Sequence, residues 1–292
     1  MQIIDGKNLA QIIRTKLREN VENRKKDGHR VPHLSAILVG TDPASETYIR
    51  NKILACEDAG FESSLFQYDS TISEKKLLEK IAEINVDDNI DGVIVQLPLP
   101  KHIDVVKVIE SIDYTKDVDG FHPINIGRMA KGLRGFLPAT PYGVIKLLEH
   151  YKIETKGKHC VVVGRSQIVG SPVSILMSRD GYPGNATVTL CHRHTDDLKS
   201  IVQTADIIIS AVGQPGLITE EMVKEGAVVI DVGTTRVKDA TKKSGYRLAG
   251  DVDFENVKNK ASYITPVPGG VGPMTIACLL LNTMQAAEHK WS

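Results

Sequence analysis

Cys160-Val161-Val162-Val163-Gly164-Arg165-Ser166-Gln167-Ile168-Val169-Gly170-Ser171-Pro172 is the stretch that decides the fold. Its first four residues form a short, mostly β-branched run bounded by glycine, as expected of a strand buried on both faces of a parallel sheet. A glycine loop and a helix start follow. Glycines there permit a sharp turn and bring backbone amides close to a phosphate at the helix N-terminus. Three similar runs lie downstream at 186–191, 206–210 and 227–232, so this part of the chain reads as a Rossmann-like block with a parallel sheet. The loop departs from G-x-G-x-x-G because Ser166 stands in the middle glycine's place. Alone, the loop is equally an ordinary strand-to-helix turn.

Upstream lies a second alternation of strands and helices. A polar-faced helix spans about 5–27 and a strand 34–40, and Asp42-Pro43 opens a helix as N-cap and first helical residue, closed by Gly60. A strand at 61–68, a helix at 73–85 and a strand at 92–97 complete this block. Thr140-Pro141 has the same cap-plus-proline form and starts a helix to about Tyr151, which puts a boundary near 138. A last helix spans 274 to about His289. The fold class is therefore α/β with two domains.

Composition narrows the function. The 292 residues carry 36 Lys+Arg against 36 Asp+Glu, without the basic excess that nucleic-acid binding requires. The hydrophobic share of 41% and charged share of 25% are those of a soluble globular protein. Cysteines 56, 160, 191 and 278 form no C-x-x-C pair, and no apolar run approaches the roughly 18 residues of a membrane span. Met1 to Lys7 lacks a signal-peptide pattern. A cytoplasmic protein with a small-molecule partner is expected.

Sites that bind NAD place an acid at the end of the strand after the glycine loop, on the ribose hydroxyls. Here that strand ends Leu190-Cys191-His192-Arg193-His194-Thr195, with no acid before Asp196. A missing carboxylate beside Arg193 favours a 2′-phosphate, hence NADP. Cys191, His192 and His194 are alternatively metal ligands, but no second pair stands near to complete a tetrahedral site.

Tyr48 and Lys52, at i and i+4, share one face of the helix opened by Asp42, beside an apolar stripe of Ile49, Ile53 and Cys56. A Tyr and a partly desolvated Lys there can form a proton-transfer pair, or the Lys stem can simply cover a Tyr ring. Gln96 is the one amide in the apolar run 92–97, at the strand end where open α/β sheets bind ligands. Otherwise it is a hydrogen-bonded core amide. Asp117 and Asp119 sit in a tight loop, either as ligands or in an Asx-type turn. Before the last helix, 265–275 carries three glycines and three prolines, whose backbone can lie against a flat ligand.

Together these segments resemble the bifunctional methylenetetrahydrofolate dehydrogenase/methenyltetrahydrofolate cyclohydrolase family. The likeness rests on Tyr48-Ile49-Arg50-Asn51-Lys52, on Val95 through Pro100, and on Lys116 through Gly120. Pro138-Ala139-Thr140-Pro141, Gly164-Arg165-Ser166 and Pro266 through Thr275 extend it over nearly the whole chain. It implies a homodimer of two-domain subunits with a cleft between the domains. Residues 1–138 with the helix of 271–292 would hold a tetrahydrofolate derivative, and 139–270 would bind NADP. Lys52 would be the acid/base of the hydrolytic step, positioned by Gln96, with Tyr48 against the folate and Asp119 on the pterin edge. Val95, Leu97, Pro268, Gly269 and Gly270 would line the folate slot, and Gly164, Arg165, Ser166, Arg193 and Thr234 the cofactor. No metal is implied. Two departures stand out: Asp231-Val232-Gly233-Thr234-Thr235 replaces the family's Asp-Val-Gly-Ile-Asn, and Arg193 stands where many relatives carry Ser. The rival readings are another two-domain NADP-dependent dehydrogenase and a cofactor-sensing protein without activity.

Overall fold

The computed structural model describes residues 1–242 and 245–288. Along the chain run β1 (Gln2–Ile3), α1 (Gly6–Lys26), β2 (His33–Val39), α2 (Pro43–Ala59), β3 (Glu62–Tyr68), α3 (Glu74–Asn85) and β4 (Gly92–Val95). Then follow α4 (Val105–Ser111), α5 (Pro123–Ala130), α6 (Ala139–His150), β5 (His159–Val163), α7 (Gly170–Ser178), β6 (Thr187–Cys191), α8 (Leu198–Gln203) and β7 (Ile207–Ser210). Last come β8 (Val228–Asp231), β9 (Thr235–Lys238), β10 (Tyr246–Ala249), α9 (Phe254–Val257), β11 (Tyr263–Ile264) and α10 (Val271–Ala287). Two units result: one holds residues 11–139 and the chain from Ile276, the other Met1–Ala10 and Thr140–Thr275.

The first unit contains a parallel three-stranded sheet in the order β3-β2-β4. β2 is apolar along most of its length because both of its faces are covered. Leu34, Ala36 and Leu38 join a core with Leu17 and Val21 of α1, Ile49 and Cys56 of α2, and Leu279, Leu280 and Met284 of α10. The alternate residues Ile37 and Val39 pack with Val93 and Val95 of β4 against Leu77, Ile81 and Ile84 of α3. The two-residue period of the strand thus divides its side chains between two cores.

In the second unit six parallel strands run in the order β1-β11-β8-β7-β5-β6, and β9 and β10 form a separate antiparallel hairpin. Val161, Val163, Ile208 and Val229 pack with Val202 of α8 and Val257 of α9. After β6 the chain returns to the opposite side of β5 to make β7. This reversal is a topological switch point, and the carboxyl ends of its strands are the place for a ligand.

Three expectations change. β1 pairs with β11 (Gln2↔Tyr263, Ile3↔Ile264), so residues 1–10 go with the second unit rather than with 11–138. A two-residue strand shows no alternation by which sequence could assign it. Thr140 is no cap, because α6 already begins at Ala139; its hydroxyl instead meets Thr275 Oγ1 at 3.0 Å. The last helix starts at Val271, the earlier of the two starts expected for it, but the unit division falls within it, after Thr275, rather than before it. The expected reach of that helix to His289, and of its domain to 292, lies outside the described residues. Among these, no helix is long and apolar enough to cross a membrane.

Candidate functional site

In the first unit, α2 is fixed at both ends by its own residues. The Asp42 carboxylate accepts from Ser45 N at 2.8 Å, Pro43 occupies the first turn, and Gly60 closes the helix in the left-handed conformation. Ile49, Ala55, Cys56 and Ala59 are buried, and Ile53 packs half-buried against the same core. On the flank of that stripe, Tyr48 is 46% exposed and Lys52 half-buried. β4 brings the partner. Gln96 N donates to Ile37 O at 2.9 Å, which continues the β2–β4 ladder by one residue and sets Gln96 at the strand's carboxyl end. Gln96 Nε2 donates to Leu97 O at 2.7 Å, which turns Oε1 toward Lys52, and Lys52 Nζ donates to it at 3.3 Å. A residue pair 44 positions apart in sequence thus meets across helix and strand. Val95 differs from Gln96: its side chain lies in the core, so only its backbone is available to a ligand.

Asp119 is half-buried in a loop held from several sides. The buried Asp117 carboxylate accepts from His122 N (2.8 Å), Asn125 Nδ2 (2.8 Å) and Phe121 N (3.2 Å). Desolvation raises Asp117 to about 7, against the downward pull of these donors. Buried Asn282 of α10 donates from Nδ2 to Val118 O at 2.8 Å and to Leu137 O at 2.9 Å, and Ala139 N donates to Asp119 O at 3.2 Å. Of the two loop acids, Asp117 is the one whose carboxylate holds the turn.

The second unit gathers its site by strand order. Val163↔Cys191 and Ser210↔Asp231 are paired residues, so the loops after β5, β6, β7 and β8 all leave one edge of the sheet. Gly164 N donates to Cys191 O at 2.9 Å, and Ala211 N to Val163 O at 2.8 Å. A Cβ on Gly170 would stand 1.8 Å from Gly164 O, so glycine is what lets the loop fold back on the start of α7. Ser166 Oγ accepts from Val169 N and Gly170 N at 3.2 and 3.4 Å; the serine thus ties the loop to the start of α7 where G-x-G-x-x-G loops have glycine. Arg165, Arg193 and Thr234 are exposed at this edge, and Arg193 Nε donates to His194 Nε2 at 3.1 Å. His194 N in turn donates to His192 Nδ1 at 3.2 Å, so ring nitrogens proposed as metal ligands already accept protein donors. A tight loop at a helix start with two exposed cations nearby fits a phosphate-bearing dinucleotide.

Pro268, Gly269 and Gly270 also lie in the second unit. Lys7 N donates to Gly269 O at 2.9 Å, and a Cβ on Gly6 would fall 1.9 Å from Gly270 O. The loop before α10 is therefore seated on the first residues of α1, a contact that sequence could not foresee.

Two buried acids escaped the sequence reading. Asp231 ends β8, and Asp251 follows β10 between Gly250 and Val252. Asp231 accepts from Gly233 N (2.9 Å), Asp251 N (3.0 Å) and Val252 N (2.9 Å), and desolvation raises it to about 7. The available signal was an acid closing an apolar run, which reads equally well as the start of a turn.

Residues 4–119 match the family description "Tetrahydrofolate dehydrogenase/cyclohydrolase, catalytic domain", and 138–291 match the NAD(P)-binding domain of the same family. The Bifunctional protein FolD of Cytophaga hutchinsonii is 59% identical over 290 residues, which cover 99% of this chain and 100% of that relative. The crystal structure of the bifunctional FolD methylenetetrahydrofolate dehydrogenase/cyclohydrolase from Campylobacter jejuni aligns with a TM-score of 0.93 at 47% identity, covering 99% of each chain. The Trypanosoma brucei dehydrogenase-cyclohydrolase, complexed with NADP cofactor and inhibitor, aligns with a TM-score of 0.93 at 39% identity over 98% of this chain and 97% of that one. Matched end to end by both family domains and by relatives of this identity, the chain belongs to the tetrahydrofolate dehydrogenase/cyclohydrolase family.

Proposed function

We propose that the chain oxidises 5,10-methylenetetrahydrofolate to the 5,10-methenyl form with NADP and hydrolyses that product to 10-formyltetrahydrofolate. Family membership supports the two activities. The observation that carries the residue assignment is the Lys52 Nζ–Gln96 Oε1 bond at 3.3 Å beside exposed Tyr48.

When bound, NADP supplies the acceptor for the hydride that leaves the methylene bridge. The chain's residues do the rest. Lys52 takes a proton from the water that attacks the methenyl carbon, and returns one to the ring nitrogen as its bond to that carbon breaks. Gln96, itself oriented by Leu97 O, holds the Lys52 amine in place. Tyr48 offers a ring face to the folate and Asp119 an acceptor to its pterin edge. Val95 and Leu97 contribute backbone at the strand end, and Pro268, Gly269 and Gly270 a flat strip of main chain. Gly164, Arg165, Ser166, Arg193 and Thr234 hold the cofactor, with the arginines on the 2′-phosphate. By resemblance to the family, the enzyme acts as a cytoplasmic homodimer that supplies formyl groups to purine biosynthesis.

One cuvette tests the reading. Mixed with methylenetetrahydrofolate and NADP, the enzyme should produce methenyl absorbance that then decays as the formyl product forms. NADP reduction with other substrates alone would favour the rival dehydrogenase, and NADP binding without turnover the sensing protein.

A further inference from the structure

Asp251 is fully buried, yet its carboxylate is spent on a surface loop. Oδ2 accepts from Val212 N at 2.7 Å and from Ser210 Oγ at 3.1 Å, and Oδ1 accepts from Gln214 N at 2.8 Å. These three donors span the segment that leaves β7 at the ligand edge of the sheet. Its side chains face outward: Val212, Gly213 and Gln214 are all exposed. The segment also touches the glycine loop, since a Cβ on Gly164 would stand 2.3 Å from Ala211 O. A buried side chain therefore holds the backbone of the wall that adjoins the glycine loop.

Asp251 is itself held. Asp231 accepts from its backbone N–H and from that of Val252, as well as from Gly233 N. Room for this arrangement comes from two crossed glycine contacts. A Cβ on Gly233 would fall 2.2 Å from Asp251 Oδ1, and one on Gly250 would fall 1.9 Å from Asp231 Oδ2. Each carboxylate thus rests on the glycine beside the other aspartate. The loops after β7 and β8 are tied into one piece, and Thr235 Oγ1, which donates to Gly213 O at 3.1 Å, ties them again at the surface.

We infer that Asp251 is a positioning residue for the dinucleotide, fixing the Val212–Gln214 wall against which the cofactor lies. This inference rests on the cofactor reading above. Segment 210–214 contains no cation, so it cannot read the 2′-phosphate. Its effect must be common to NADP and NAD.

The test is the steady-state kinetics of Asp251→Asn in the full chain. An amide keeps the shape but turns an N–H toward one of the donors, leaving a buried bond unmade. KM should rise about tenfold for NADP and by the same factor for NAD, with kcat at saturating NADP within about threefold. Hydrolysis of supplied methenyltetrahydrofolate, which needs no cofactor, should hold its rate. Ser210→Ala removes one donor and leaves the carboxylate, and should raise both KM values about threefold. Equal loss of both activities, a change in the NADP-to-NAD ratio, or unchanged KM in Ser210→Ala beside an insoluble Asp251→Asn would each overturn the assignment. If the wild type binds neither cofactor in an equilibrium titration, the cofactor reading itself fails, a result distinct from these.

Discussion

At the scale of single residues, the two chemistries separate by which side chains they need. Lys52→Met removes the proposed proton carrier and should cut hydrolysis of methenyltetrahydrofolate by about 100- to 10,000-fold, because general acid–base catalysis typically contributes that much. Hydride transfer depends on the alignment of two bound rings and should fall far less. Measuring both rates on one preparation checks this, and an equal fall in both with folate binding intact would sink the division of roles. Arg165→Ala and Arg193→Ala should each weaken NADP about tenfold and leave NAD nearly unchanged. A charge-assisted bond to phosphate contributes about 1.5–3 kcal/mol, and for exposed guanidinium groups screening keeps the effect at the lower end. The ratio of kcat/KM for the two cofactors reads it directly. Lys52 and Gln96, which the structure brings together, could be singled out in sequence because each is a polar exception in a patterned context. Asp251 was not. Its partners lie 37 to 41 residues away, and an acid after glycine has the local signature of any turn.

At the scale of elements, α2 carries Tyr48 and Lys52, and its start depends on one carboxylate. Asp42→Ala deletes the acceptor for both Ser45 N and Ser45 Oγ, each at 2.8 Å, and should cost about 1 kcal/mol. Urea denaturation measures that loss. Hydrolytic rate per folded molecule should stay within about twofold, since the Lys52–Gln96 contact lies more than two turns beyond the cap. Of the strands that were legible, β2, β4, β5, β7 and β8 are buried on both faces, where an unbroken apolar run follows from being covered twice, while β3 and β6 are only partly covered. Four others were hidden for definite reasons. β1 and β11 have two residues each, and the β9–β10 hairpin is exposed and polar, so neither periodicity nor apolarity marks them.

At the scale of the whole molecule, two buried carboxylates set a pH dependence. Asp117 in one unit and Asp231 in the other are each raised to about 7, chiefly by desolvation. The folded chain then keeps protons that the unfolded chain releases near the ordinary aspartate value of about 3.9. Between those limits the folded state binds more protons, so unfolding free energy falls as pH rises from about 4 to 7 and levels off above. The acids lowered by exposed partners, such as Asp87 and Asp197, act oppositely, but only at more acidic pH. The urea midpoint should therefore decline between pH 5 and 7.5. Asp117→Asn should be less stable throughout but show a flatter profile, and a midpoint that climbs over this range would contradict the account.

One consequence of the unit division concerns the order in which the chain is made. Leu279, Leu280 and Met284 complete the core around β2 and α2, and Asn282 clamps the loop of Asp119, yet all four follow residues 140–275 in the chain. A ribosome adds residues from the N-terminus at roughly 5–20 per second. Residues 11–139 therefore emerge before 140–275 but wait until that segment has been translated before their own interior can close. The half of the molecule that bears Lys52 is begun before residues 140–275 are made and closed only after them, and in the interval its core lacks the side chains of α10.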